Sequence, residues 1–386
     1  MCEDTVPIFA MVQKGSHMPA LTCLDFQVDR EKLSRFRWTE TPIDDLAADL
    51  PPDGALLAVR RFAFTTNNIT YALCGETFDY WRYFPAPDGW GRIPVWGIAE
   101  VSHTRTPALS EGERVYGFLP TSTHMPVLPD DMRDTGFLDG APHRASLPRT
   151  YNEYVRIDRD PSYDHATADL HLILRPLFSL SFFMAAFLKD NGFFGATRVL
   201  ISSASSKTAL GLAFLLNHQR TSRVEIIGLT GPGNATALAG LGRYDQVLGY
   251  PHIDQLPTNV PSVFVDIAGD PRITEAVHRR LASALTHSSA VGFTRGRPQG
   301  GAPDLPGPRP EFFFTPAHIV ARRKSWGPGE LRRRLAEAWT SFLAEIAPRL
   351  RIETGIGPVA LEQTYLDVLQ GRVSPDLARI VSFAQA

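Results

Sequence analysis

Hydrophobic and polar positions follow two different rhythms along this chain. From Ala55 to Val127 the apolar runs are short and broken by Gly, Pro and polar residues, as in Ala55-Leu56-Leu57-Ala58-Val59, Ile93–Val101 and Arg114-Val115-Tyr116-Gly117-Phe118. That spacing predicts a small β-barrel or sandwich. Residues 128–150, rich in Pro, Asp, Gly and Arg, read as a long loop. An apolar helix is expected from about Ala166 to Lys189, kinked at Pro176.

The rhythm changes at Gly195. Apolar runs at Arg198–Ser202, Val224–Thr230, Val263–Asp266, Ser288–Phe293 and Glu311–Phe314 read as strands, and Thr208–His218, Ala235–Leu241 and Ile273–Leu285 between them as helices. Near-continuous apolar strands alternating with helices predict a parallel sheet covered on both faces. Residues 297–309 form a Pro/Gly-rich loop. An Arg-rich helix at Pro328–Ile346, a helix near Val359–Leu369 and a strand near Ile380–Phe383 are expected after it, and no internal repeat is visible.

Length and composition narrow the class. The 386 residues, 44% hydrophobic and 21% charged, suit a soluble two-domain protein and exclude a disordered one. A net charge of -2 gives no basic excess to draw the chain to nucleic acid or an anionic membrane. The Arg322, Arg323, Lys324 and Arg332–Arg334 group is interleaved with Glu330, Glu337 and Glu345 and reads as a solvated face. Three cysteines (Cys2, Cys23 and Cys74) without a CxxC pair support neither a disulfide scaffold nor a four-cysteine zinc site, which points to a reducing, cytoplasmic compartment. The greasiest stretch, Leu170–Leu188, carries His171, Arg175 and Pro176, so an interior helix is expected rather than a membrane span. No secretory signal pattern opens the chain. Gly15-Ser16-His17-Met18 reads as the scar of a cleavable tag, which sets residues 1–17 aside.

Candidate chemistry begins at Ser203-Ala204-Ser205-Ser206-Lys207-Thr208-Ala209-Leu210-Gly211, between the first parallel strand and its helix. Open α/β sheets bind phosphates at such a junction, through free amide N–H groups and the helix dipole. Small residues let the backbone approach a ligand, and Lys207 adds a charge that a helix start disfavours unless an anion answers it. Three readings stay open: a dinucleotide site, a serine-rich turn that only caps the helix, and a P-loop. The last lacks both required glycines, since Ile201 and Ser206 stand there.

The surrounding segments resemble the medium-chain dehydrogenase/reductase superfamily, on its zinc-free, quinone- and enoyl-reductase-like side. Asn68–Gly75, Ile93–Val101 and Glu111-Gly112-Glu113-Arg114-Val115-Tyr116-Gly117 look like its catalytic domain, and Leu241–Tyr250 and Val263–Gly269 like its nucleotide domain. The SSASSKT loop and the NNITY segment resemble a bacterial branch filed as a domain of unknown function. The resemblance implies a GroES-like β-barrel catalytic domain over 18–190 and 316–386, and a Rossmann-type doubly wound parallel sheet over 191–315. It implies an NADP(H)-dependent, metal-free reductase of an activated C=C or a quinone; the alternative is a catalytically idle nucleotide-binding sensor or scaffold. Ser203, Ser205, Ser206, Lys207, Thr208, Thr230, Asn234, Tyr250, Asp266, Gly269 and Phe293 would face the cofactor. The absence of an acid over Thr230–Asn234 favours NADP. Asn68 and Trp96-Gly97-Ile98 stand where zinc-dependent relatives carry Cys and Gly-His-Glu, so no metal is expected. Tyr80, with Tyr71 second and Asn68 beside it, would serve catalysis as proton donor and neighbours. His124 is a lone loop histidine, read as structural or exposed. The aromatic run Phe78–Phe84 implies a small apolar or aromatic substrate, and a homodimer is left open.

Overall fold

Six strands of the second half form one sheet in which every neighbouring pair is parallel. Across the sheet the order is Gln246–Gly249, Glu225–Thr230, Arg198–Ile201, Ser262–Asp266, Leu285–Ala290 and Glu311–Phe312. Numbered by chain position this is 3-2-1-4-5-6, the doubly wound order whose switch point lies beside the first strand. In this computed structural model residues 21–160, 163–218, 224–292 and 304–383 are described. The expected tag at 1–17 and Phe293 lie outside them.

The central strands Arg198–Ile201 and Ser262–Asp266 are buried at every position, because helices cover both faces. Lys207–His218 packs against the long helix Ala168–Asp190 so closely that a Cβ at Gly211 would stand 3.0 Å from Ser181 Oγ. That hydroxyl donates to the Leu177 carbonyl and, at 2.8 Å, to the Thr208 carbonyl, tying the two helices together. The long helix contains Pro176 and is apolar enough to cross a membrane by composition, yet 67% of its greasiest window is buried inside the protein. Arg175 points to Asp160 at 3.4 Å and lies over the Tyr116 ring, which accommodates a charge on an otherwise greasy helix.

The first half builds a nine-stranded sheet and a three-stranded sheet around an aromatic core. Ala55–Ala63, Pro94–Thr104 and Arg114–Pro120 are its antiparallel centre. The expected loop at 128–150 is corrected: Pro129–Arg133 pairs with Gly136–Asp139, which pairs with Glu153–Arg156. Its charged residues face outward while Phe137 is buried and stacked on Tyr154, so half of the pattern reads as loop. The C-terminal chain returns to this sheet through Leu377–Ser382, antiparallel to Ala55–Ala63, with Arg351–Ile356 parallel on its outer side. The helix Pro328–Ile346 lies instead against the nucleotide half, where Phe342 stacks on Phe178 and meets Phe214. The fold is the expected α/β combination of a barrel-like domain with a Rossmann-type sheet.

Candidate functional site

The serine loop leaves the carboxyl end of Arg198–Ile201 and is held from several sides. The Ala204 N–H donates to the Leu229 carbonyl at 3.0 Å, and the Ala204 carbonyl accepts from the Tyr244 hydroxyl at 2.8 Å. Ser203 stands in the left-handed region at φ 52°, a conformation glycine adopts without a Cβ penalty. Its N–H donates to the Tyr250 hydroxyl at 2.9 Å. Ser206 Oγ accepts from the Ala209 N–H at 3.2 Å and caps the helix. Ser205 Oγ accepts from Asn234 Nδ2 at 3.3 Å, which joins the loop to the turn after the second strand. The Lys207 ammonium donates to the Pro375 and Leu377 carbonyls, 2.9 Å each, and burial lowers its pKa to about 8.

Under the loop lies Asp266, at the end of Ser262–Asp266. It accepts from Ser202 Oγ at 2.7 Å, Thr274 Oγ1 at 2.6 Å and the Gly269 N–H at 3.0 Å. Burial raises its pKa in spite of these donors. Asp266 therefore shapes the loop from below. Thr208 and Thr230 are buried as well. The structure thus gathers Ser203, Ser205, Ser206, Lys207, Asn234 and Tyr250 above the carboxyl ends of the parallel strands. Asp266 and Thr208 support them, and Gly269, at φ 61°, lies alongside. Lys207 differs from expectation, because carbonyls of the C-terminal chain already satisfy two of its three donors. The turn at Gly231–Asn234 has room: a Cβ added at Gly231 or Gly233 meets nothing within 4 Å.

A second feature lies between the long helix and the barrel. A shallow cleft is lined by Thr65, Asn67, Asn68 and Trp96 on one side and Leu172, Ile173, Pro176 and Leu177 on the other. The space it encloses is about 10 Å³, room for about one water molecule. Thr65–Asn68 begins the helix Thr66–Leu73 as a capping box: Asn68 Oδ1 accepts from the Thr65 N–H at 2.7 Å, and Asn68 Nδ2 donates to the Pro94 carbonyl at 2.8 Å. Asn68 thereby clamps the start of the helix while it also lines the cleft. Tyr80 stands elsewhere. It is 7% exposed, does not line the cleft, and pairs its hydroxyl with that of Tyr151 at 3.2 Å inside the aromatic core. Burial raises the pKa of both phenols.

Tyr71 is buried but connected to the cleft. Its hydroxyl accepts from Trp96 Nε1 at 3.2 Å and bonds the Asn67 side chain, and both of those residues line the cleft. Asn67 is the cleft residue that the sequence reading passes over. The Thr65-x-x-Asn68 spacing was the available signal, since it assigns Asn68 to the cap and leaves its neighbour free. His124 is partly buried, its Nδ1 lies 3.1 Å from Thr123 Oγ1, and burial lowers its pKa to about 4, as befits a structural histidine. Among the described residues no group of three His, Cys, Asp or Glu side chains is placed to hold a metal.

Comparison with known proteins bears on the family and the fold. The model of the family described as protein of unknown function (DUF2855) matches residues 62–374. No curated protein matches the sequence. Among solved structures, CurA from Vibrio vulnificus in complex with NADPH superposes with TM-score 0.59 at 11% identity, covering 93% of this chain and 97% of that one. S. aureus TarJ in complex with NADPH gives 0.52 at 10%, covering 95% and 100%. A mutant form of enoyl thioester reductase from Candida tropicalis gives 0.51 at 12%, covering 94% and 100%. At such identities the likeness establishes the fold alone.

Proposed function

We propose that this chain, which belongs to the DUF2855 family, is an NADP(H)-dependent reductase that transfers a hydride to an activated C=C or a quinone without a metal. The observation that carries the reading is the serine loop at the sheet's switch point, with the cleft on the barrel side of the same long helix. The residues fit a dinucleotide. Ser203, in the left-handed region, and Ser206, at the helix start, turn the loop as glycines would. The Lys207 ammonium keeps one donor for a phosphate. The open space at Gly231 and Gly233 admits a ribose, and no carboxylate over Thr230–Asn234 repels a 2′-phosphate.

When bound, the reduced nicotinamide supplies the hydride. The chain's own part is to exclude water, orient the acceptor and meet the charge that develops on it. Leu172, Ile173, Pro176 and Leu177 supply the apolar wall. Trp96 donates to the Tyr71 oxygen, and the Asn67 side chain bonds the same phenol in the sense that lowers its pKa, as an amide N–H donor does, which ties Asn67 to Tyr71 at the cleft wall. The remaining Asn67 amide N–H would meet an enolate-like oxygen. Burial raises the Tyr71 pKa, so the phenol holds its proton and positions Asn67.

The test is a titration of NADPH against the purified protein, read by nucleotide fluorescence, followed by NADPH oxidation with a panel of enones and quinones. Binding followed by turnover supports the reductase. Binding without turnover on any acceptor moves the chain to the nucleotide-sensor reading, and no binding removes both.

A further inference from the structure

The edge of a sheet presents unpaired N–H and C=O groups, and proteins usually blunt it. Most edges of these sheets are short or blunted. Pro129–Arg133 carries a proline, two aspartates and a break in its register. Phe36–Pro42 exposes Glu40 and ends in a proline. Trp90–Gly91 and Glu311–Phe312 span two residues each, and the Phe78 ring stacks on Phe312.

Arg351–Ile356, the outer strand of the nine-stranded sheet, spans six residues without a proline or a break. Among the described residues it pairs with Leu377–Ser382 alone. The Arg351 N–H donates to the Asp376 carbonyl, so Arg351, Glu353 and Gly355 turn their amides toward that strand. Ile352, Thr354 and Ile356 turn theirs outward, and none of these three N–H groups has a backbone acceptor among the described residues. Side-chain alternation puts the same three residues on one face, and all three are β-branched. Ile356 is 57% exposed, and Val359, in the helix that follows, 78%. The charges lie on the other face, where Glu353 stands 3.8 Å from Arg351 and 4.0 Å from Arg379.

We propose that this edge pairs, antiparallel, with the same edge of a second copy of the chain about a two-fold axis at Thr354. Register and charge select that occupant. Centred on Thr354, the pairing sets Ile352 of one copy opposite Ile356 of the other and Thr354 opposite its own copy, so each outward N–H meets an outward residue. The β-branched side chains then form cross-strand pairs, which favour a sheet. Glu353 falls opposite Gly355, which has no side chain, and keeps Arg351 and Arg379 beside it. Pairing centred one residue earlier would set the two Glu353 carboxylates face to face and leave Ile356 without a partner. A strand complementary to itself under a two-fold rotation suits a second copy, because such an interface uses one patch twice.

The experiment is sedimentation equilibrium of the full chain at micromolar concentration, with thermal melts, on the wild type and Thr354→Lys. Thr354→Lys sets two ammonium groups opposite each other on the axis of the dimer and places one exposed charge on the monomer. The wild type is expected to be a dimer, and Thr354→Lys to dissociate at least ~tenfold more readily with Tm nearly unchanged. In a Cys2→Ser background, Thr354→Cys should be joined to its own copy by a short bismaleimide, since Cys23 and Cys74 are buried. A monomeric wild type, a dimer undiminished in Thr354→Lys, or a dimer in which Thr354→Cys is not cross-linked overturns the proposal. If Thr354→Lys does not fold, Ile356→Lys is read by the same criteria.

Discussion

Lys207, the first residue of the nucleotide domain's leading helix, donates its ammonium proton to the Leu377 carbonyl at 2.9 Å, and Leu377 opens the strand that closes the barrel sheet. A second bond to Pro375 completes a link between the two domains at the place assigned to a cofactor phosphate. The serine loop's helix and the chain that returns to the barrel are therefore held by one cation.

If Lys207 holds a cofactor phosphate as proposed, nucleotide binding is expected to depend on pH. Burial lowers the Lys207 pKa to about 8, with Asp376 opposing the shift. A bound phosphate favours the charged form, so binding above pH 8 must first restore the proton. NADPH affinity is expected to fall as pH rises through about 8, by up to ~tenfold per pH unit. Lys207→Met should bind more weakly at neutral pH and lose that slope. Fluorescence titrations from pH 6.5 to 9.5, roughly bracketing the transition, check both. A slope that survives in Lys207→Met assigns it to another group.

The parallel sheet was legible because its central strands are buried on both faces and read as unbroken apolar runs. Arg351–Ile356 was not, because it lies at the sheet edge with most of its side chains exposed, and its charges mask the strand. Thr22–Asp29 and Phe36–Pro42 escaped for a related reason: polar residues such as Asp25 and Gln27 are buried there through hydrogen bonds rather than through hydrophobicity. At the site, the position of the serine loop could be read from strand and helix order. Its partners could not, since Tyr250 meets Ser203 only after the third strand brings it back. Both adjacent asparagines line the cleft, and helix phase commits the Asn68 side chain to the cap as well.

Asn68 is expected to matter for stability. Its removal leaves the Thr65 N–H and the Pro94 carbonyl without a partner in a buried setting. Asn68→Ala should destabilise the protein by about 1–3 kcal/mol. Asn68→Asp should also lower stability, since a carboxylate would face the Pro94 carbonyl. Thermal melts measure the loss, and activity per folded molecule should persist. An unchanged Tm combined with lost activity would return Asn68 to the chemistry.

Chelation gives an independent check on the metal-free reading. By the resemblance Asn68 stands at the thiolate position and Gly97 at the imidazole position; Asn68 is committed to hydrogen bonds and Gly97 has no side chain to offer. Elemental analysis should find no stoichiometric zinc, and dialysis against EDTA should leave NADPH affinity unchanged. One zinc per chain that leaves together with binding would refute it.

The choice between Tyr80 and Asn67 decides which side chain serves the acceptor. Tyr80 keeps its hydroxyl on Tyr151, away from the cleft-lining residues. Tyr80→Phe removes one buried hydrogen bond and should reduce stability by about 0.5–1.5 kcal/mol, with kcat nearly unchanged. Asn67 lines the cleft and is oriented by Tyr71, which Trp96 holds in turn. Asn67→Ala removes the donor aimed at the developing charge, so kcat/KM should fall by about 10²-fold while Tm and NADPH affinity stay close to wild type. Tyr71→Phe leaves that donor in place but unoriented, and its loss of kcat/KM should fall between the other two. The sign of the comparison carries the inference: if Tyr80→Phe abolishes turnover in a folded, NADPH-binding protein and Asn67→Ala does not, proton donation belongs to the Tyr80–Tyr151 pair, and the domains must rearrange to bring that pair to the substrate.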